Sequence, residues 1–235
     1  MQLSIVIPTF NEEECLPLLL ESIKKQSYSD YEIIIADNHS SDDTLEIAKE
    51  YNAIITTGGL PGAGRNAGAK IATGELILFL DADVILPKDF LKDSINEFVY
   101  AGLGIATCQI EPLSDRKIDH IMHEAYNVFI VLSSHMFPYA PGFCIFAKRI
   151  VHNSIFGFDE RIMLGEDSDY VQRAAKICKF AVLKSHKIPV SVRRLDEDGR
   201  ITTALKYVLS GVYMFLIGNI NSNKLFKYKF GHIKK

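Results

Sequence analysis

Residues 75–83 read Glu75-Leu76-Ile77-Leu78-Phe79-Leu80-Asp81-Ala82-Asp83. Five consecutive apolar side chains suit a strand covered on both faces, as in a parallel sheet, rather than the alternation of a half-exposed strand. Two acids follow at once. In extended chain, residues two apart point to the same side, so Asp81 and Asp83 are expected to converge on one ligand. Neighbouring carboxylates repel unless a proton or a cation is shared between them. A hard divalent ion such as Mg²⁺ meets that need together with phosphate oxygens. A D-x-D taken alone is as readily a turn or a helix cap; its place directly after a buried strand turns the reading towards a metal–phosphate site.

Upstream, the pattern repeats. Leu3 to Ile7 is an apolar run closed by Pro8, and Leu16, Leu19, Leu20 and Ile23 recur at helical spacing within Glu12 to Lys25. Tyr31 to Ala36 reads as a strand, Ser41 to Glu50 as a helix, Ala53 to Thr57 as a strand, Gly58 to Gly64 as a loop and Arg65 to Ala72 as a short helix. Pro87 marks a first helical turn running towards Tyr100. Repeated βα units imply an α/β fold, a mostly parallel central sheet flanked by helices, with ligands at the carboxyl ends of its strands.

Downstream, the alternation weakens. Ile118 to Ser134 is expected to be a helix, Phe143 to Ala147 a strand, Asp167 to Lys176 a helix and Phe180 to Leu183 a strand. The economical division is one domain over 1–200, with a ligand-binding half at 1–110 and a less regular half at 111–200. An apolar helix and basic tail follow over 201–235.

The net charge of -3 gives no reason to expect a nucleic-acid partner. It is unevenly spread. From residue 201 there are six lysines and no acid, so the tail carries +6 and residues 1–200 carry -9. Residues 204–220 are apolar on most faces, and Lys224 to Lys235 interleaves lysines with Phe226, Tyr228 and Phe230. That composition suits either peripheral contact with anionic lipid or a terminal helix packed on the body or on a second subunit. The uncharged stretch 207–223 contains three asparagines, which argues against a spanning helix. Cys15, Cys108, Cys144 and Cys178 lie far apart without metal-ligand spacing, and the N-terminus lacks the pattern of a signal peptide. A cytoplasmic chain, peripheral on the inner face of the cell membrane, is the expectation.

Polar clusters follow each early strand. Pro8-Thr9-Phe10-Asn11-Glu12 comes after the first and Asp37 to Thr44 after the second; each is also explicable as cap and turn chemistry. Gly62-Ala63-Gly64-Arg65-Asn66-Ala67-Gly68 suits close approach of backbone N–H groups to an anion, with Arg65 as a forked donor. It is neither a dinucleotide fingerprint nor a P-loop. Gly165-Glu166-Asp167 opens a later helix, where acids favour the dipole and a partly buried carboxylate also serves as a general base. Arg193-Arg194 is a second basic site, equally readable as an exposed turn. Tyr126 to Phe146 is rich in aromatics, which suits core packing or an acceptor wall. His120 and His123 read as structural, and His186 as a weak candidate for an accessory metal ligand.

Together, Val6-Ile7-Pro8-Thr9-Phe10-Asn11-Glu12, Asp37 to Asp42, Gly64 to Gly68, Asp81-Ala82-Asp83 and Gly165-Glu166-Asp167 resemble the inverting family 2 glycosyltransferases of GT-A fold, over residues 3 to about 200. The resemblance implies transfer of a sugar from a nucleotide-diphospho-sugar to a hydroxyl or phosphate of a carbohydrate or lipid-linked acceptor, with Mg²⁺ or Mn²⁺ as cofactor. Pro8, Thr9, Asn11 and Glu12 then match the loop around base and ribose, and Asp37 the acid on the base. Gly64, Arg65 and Asn66 match the loop beside ribose and diphosphate. Asp81, Ala82 and Asp83 match the metal-holding D-x-D, with Glu166 and Arg194 nearby, and Asp167 matches the general base. Asp37-Asn38-His39-Ser40 departs from the more usual Asp-Asp-Gly-Ser. A sugar nucleotidyltransferase and a non-catalytic membrane-associated scaffold are the alternatives.

Overall fold

The structure is a computed structural model that describes residues 2–134 and 137–216. Strands β1 (Leu3–Thr9), β2 (Tyr31–Asp37), β3 (Ile54–Thr57), β4 (Leu76–Leu80), β5 (Ile105–Leu113), β6 (Cys144–Lys148) and β7 (Phe180–Ser191) form one sheet in the order β3-β2-β1-β4-β6-β5-β7. Pairings are parallel except those of β6, which runs antiparallel to both β4 and β5. The helices are α1 (Leu16–Lys24), α2 (Thr44–Glu50), α3 (Pro61–Ile71), α4 (Phe90–Tyr100), α5 (Lys117–Ser133), α6 (Arg149–Ser154), α7 (Glu166–Ala175), α8 (Arg193–Asp198) and α9 (Arg200–Leu216).

Period-two alternation sorts the central strands between two cores. Leu3, Ile5 and Ile7 of β1 and Leu76, Leu78 and Leu80 of β4 face α1 and α4. Val6, Ile77 and Phe79 face α3 and α7, where Ala69, Tyr170, Val171 and Ala174 cover them. β4 is buried along its whole length, as its unbroken apolar run requires. The chain leaves β1 in opposite directions along the sheet, to β2 on one side and β4 on the other, so the strand order reverses between β1 and β4. A crevice opens at such a switch point, at the carboxyl ends of the strands.

Several local expectations need correction. The segment expected as a loop at Gly58 to Gly64 is helical from Pro61, since proline at the first turn starts α3 and close packing offsets the cost of its glycines. A Cβ on Gly68 would lie 2.3 Å from Val6 Cγ1, so α3 rests directly on β1. The strand expected to end at Leu183 runs on to Ser191 through a register shift opposite Cys108 and Gln109. β5 and α6 were not anticipated. Residues 217–235, which include the lysine-rich tail, lie outside the described residues, and no described helix is long and apolar enough to cross a membrane. Of the four free cysteines, Cys108 and Cys144 are buried, and Cys15 and Cys178 half-buried.

Candidate active site

The expected site residues gather at the carboxyl ends of β1, β2 and β4. Thr9, the last residue of β1, donates through Oγ1 to Asp37 Oδ1 at 2.9 Å. Asp37 ends β2 and also accepts from the Ser40 N–H at 2.9 Å and the Ser40 hydroxyl at 2.6 Å, so its buried carboxylate is fixed in place. Asn11 and His39 both have positive φ (54° and 58°), which folds the two loops against each other. The Asn11 N–H then donates to Ser40 Oγ at 2.8 Å, and Asn11 Oδ1 accepts from the Ser41 N–H at 2.8 Å. Asp37, His39, Ser40, Leu45, Ile55, Thr56 and Thr57 line a cavity of about 370 Å³ at this end of the sheet. Gly64 brings α3 against the rim of β1: a Cβ there would lie 3.1 Å from Pro8 Cβ.

Arg65 is the hub. Its side chain is almost fully buried, donating from Nη1 to Glu166 Oε1 at 2.8 Å, from Nη2 to Asp81 Oδ1 at 2.8 Å and from Nη2 to the Gly142 carbonyl at 3.3 Å. The guanidinium lies 5.4 Å from the Phe158 ring centre. Two carboxylates outweigh the cost of burial and hold Arg65 charged, with Asp81 the larger influence. The expectation of a fork aimed at phosphate is thus met differently, since the fork is occupied by protein carboxylates. Asn66 likewise turns to the protein, bonding the Phe158 N–H and carbonyl at 2.8 and 2.9 Å and Glu160 at 2.9 Å.

Asp81-Ala82-Asp83 does not continue the strand; Ala82 and Asp83 sit in a turn, so the alternation argument fails for this segment. Asp81 faces Arg65, while Asp83 lies 4.0 Å from Arg193 Nη2. Burial and then the Asp81 charge push the Asp83 carboxyl up, with Arg193 and Arg194 opposing. Burial also raises Glu12 to about 8, against Arg193 and with Asp83 and Asp81 adding to the rise; Arg193 Nη1 reaches Glu12 Oε2 at 3.5 Å. Carboxyls that resist ionisation together form a set whose repulsion a cation relieves. Among the described residues no group of three or more His, Cys, Asp or Glu is arranged to hold a metal. Asp81 and Asp83 are hard oxygen donors of the kind Mg²⁺ or Mn²⁺ takes, here turned to Arg65 and Arg193 respectively.

Gly165, at φ 85°, caps α7 and places Glu166 and Asp167 in its first turn. Burial and then the Glu166 charge raise Asp167 to about 7, with Arg65 opposing. A Cβ on Gly142 would lie 2.4 Å from Arg65 Nη2 and 3.4 Å from Asp167 Oδ2, so the strand-entry segment before β6 closes this side. Gly142 and Phe158 carried no sequence signal. Of the Arg193-Arg194 doublet that the sequence singled out, Arg193 lies 3.5 Å from Glu12 and 4.0 Å from Asp83, and Arg194 also acts on Asp83. His186 stands apart, bonded to Asp93 at 2.9 Å and packed on Phe90.

A sequence model described as "Glycosyl transferase family 2" matches residues 4–157. The chain is 27% identical over 186 residues to the poly(ribitol-phosphate) beta-N-acetylglucosaminyltransferase TarS of Staphylococcus aureus, covering 74% of this chain and 32% of the relative. It is 31% identical over 204 residues to a poly(ribitol-phosphate) beta-glucosyltransferase of Bacillus spizizenii, covering 81% and 31%. The chain therefore spans about a third of the length of these curated relatives. In fold it is similar to S. aureus TarS 1–349 in complex with UDP-GlcNAc, with TM-score 0.68, 24% identity and coverage of 81% of this chain and 58% of that one. It is also similar to the mannosyltransferase PcManGT of Pyrobaculum calidifontis in complex with GDP-Man and Mn²⁺, with TM-score 0.68, 19% identity and coverage of 92% and 70%. With the family model matching most of the chain and the sheet agreeing with GT-A transferases, this chain belongs to glycosyl transferase family 2.

Proposed function

We propose that this chain transfers a sugar from a nucleotide-diphospho-sugar to a hydroxyl of a glycan or lipid-linked acceptor, with inversion at the anomeric carbon. The observation that carries the reading is the Arg65 bridge, which ties the D-x-D to Glu166, the neighbour of Asp167, at the switch point of the sheet. A donor-side group and a base-side group are thereby held in one rigid unit. The named activities of the relatives, both additions of a sugar to a polymer of ribitol phosphate, point to the same class of acceptor.

In this reading Asp37 and the interlocked loops around Asn11 and Ser40 receive the base and ribose. The residue half 1–110 holds donor, and 111–200 faces acceptor. Asp81 and Asp83 would hold Mg²⁺ or Mn²⁺, which when bound would neutralise charge on the departing diphosphate. Arg193 and Arg194 add positive charge beside Asp83. Asp167 takes the proton of the acceptor hydroxyl as that oxygen bonds to the anomeric carbon. The bond from that carbon to the diphosphate oxygen breaks, and the electron pair leaves with the nucleoside diphosphate. A carboxyl held near 7 is matched to proton abstraction close to neutral pH.

The test is Asp167→Asn assayed with UDP-, GDP- and dTDP-sugars and a soluble acceptor. Transfer falls by about 10²–10⁴-fold, while donor binding measured by calorimetry is kept. Undiminished transfer in this variant would refute the assignment.

A further inference from the structure

Helix α5 leaves most of its apolar side chains on the surface. Ile118, Ile121, Ala125, Val128, Phe129 and Leu132 recur at helical intervals and are all exposed, Ile121 by 64% and Leu132 by 72%. At about 100° per residue they form one outward stripe. The inward face is mixed: Asp119 and Asn127 are buried to 0% and 1% beside the fully buried Ile130, and Tyr126 packs on the core. Asn127 bonds the Ile110 N–H and carbonyl at 2.9 and 2.8 Å, closing the open edge of β5 at that point, and Asp119 accepts two bonds from Arg200 at 2.6 and 2.8 Å.

We propose that the outward face of α5 seats this chain on a membrane leaflet containing anionic lipid. Charge selects the occupant. At the start of the stripe Lys117 is exposed beside Asp115, Arg116 is exposed and lies 3.7 Å from Asp196, and Glu124 is paired with Lys187. Through the Arg200–Asp119 pair the start of α5 is clamped to the start of α9, from which the chain continues with +6 and no acid. Helix α9 itself exposes Ile201, Leu205 and Leu209. The stripe is wholly aliphatic and phenyl, without a hydrogen-bonding group that a protein partner would satisfy, and lipid needs none. No described helix is long and apolar enough to span, so the contact lies along the surface.

The stripe also leads towards the base. Phe129 at its far end packs edge-on against Tyr139 at 6.0 Å, and the chain from Tyr139 reaches Gly142, which abuts Asp167. An acceptor at a leaflet surface would thus lie beside the base. This last link rests on the transfer reading above; the lipid contact does not.

The test is co-sedimentation of the full chain with phosphatidylcholine vesicles with and without about a third phosphatidylglycerol. The wild type pellets with the anionic vesicles, and Ile121→Glu with Leu132→Glu lowers the bound fraction about tenfold or more, leaving transfer to a soluble acceptor unchanged. Because the chain has no tryptophan, Leu132→Trp gives a single reporter, whose emission shifts to the blue on these vesicles. This arm stands even where the double variant folds poorly. Absence of wild-type binding, binding unchanged by the double variant, an unshifted emission, or a wild-type dimer that the double variant converts to monomer would each overturn the proposal. The last result would assign the face to a second copy. Since binding needs no turnover, failure here and failure of the transfer assay are separate results.

Discussion

Gly142 shows how tightly Asp167, the proposed base, is enclosed. A methyl group there would meet the Arg65 guanidinium at 2.4 Å and displace it from Asp81 and Glu166 together. Gly142→Ala is expected to lower kcat about a hundredfold, since small misplacements near the chemistry carry that cost, with the far-ultraviolet circular dichroism unchanged. His152 reports on stability instead. It is buried beside Phe79, Phe158 and Tyr170 and is near the Tyr170 hydroxyl at 3.0 Å; burial first, then Arg173, holds it down to about 4. As pH falls from the ordinary value of 6.5 towards 4, the unfolded chain takes up a proton that the folded chain does not. Stability therefore falls across that window, by at most about 3 kcal/mol. Urea melts of the wild type and His152→Phe should converge in pH dependence at neutral pH and diverge between 6 and 4, the variant being flatter. At this scale the residue types were legible in sequence and their partners were not. Arg65 reads as a phosphate fork until Asp81 and Glu166, 16 and 101 positions away, are seen to occupy it.

Elements whose signal is local were legible. β1, β2, β4 and α1 have apolar periodicity of their own, and their expected spans stand with ends adjusted by a few residues. β7 lacks that signal because Lys184, Ser185 and His186 interrupt it. Those residues bulge out where Leu183 pairs with Cys108 and Lys187 with Gln109. The Glu97 carboxylate on α4 accepts the Lys184 and Ser185 N–H groups at 2.8–3.0 Å, so the continuation depends on a residue almost ninety positions earlier. α3 was hidden for a related reason: its glycines read as loop, while their use is to let the helix touch β1. Gly68→Ala would place a methyl 2.3 Å from Val6 Cγ1 and is expected to cost about 1–3 kcal/mol. Adding Val6→Ala should recover part of that loss in thermal melts.

For the molecule as a whole, the order of strands fixes where ligands go. The loops after β1 and β2 and the D-x-D after β4 come from separate βα units and meet only because the sheet reverses between β1 and β4. A nucleotide-sugar with Mn²⁺ at about a hundred times its Kd should raise Tm by about 5–10 °C. Asp83→Asn should abolish the part of that rise that depends on the metal. The -9 of residues 1–200 was visible at the outset. That Glu12, Asp83 and Asp167 each resist ionisation became visible only when the fold buried them, with neighbouring acids adding to the effect.

The reversed strand carries a consequence for how acceptor preference varies. Along β1, β2 and β4 the chain exits the sheet into the ligand crevice, and each exit loop is tied at once to the next helix. At β6 the chain instead arrives from that crevice, through Ala140, Gly142 and Phe143, and only then joins the sheet. Residues 137–143 thus lead into β6 rather than out of it. On the proposed reading, substitutions there ahead of Gly142 should change which acceptor is taken while donor binding is kept, as a panel of acceptors assayed with one donor would show.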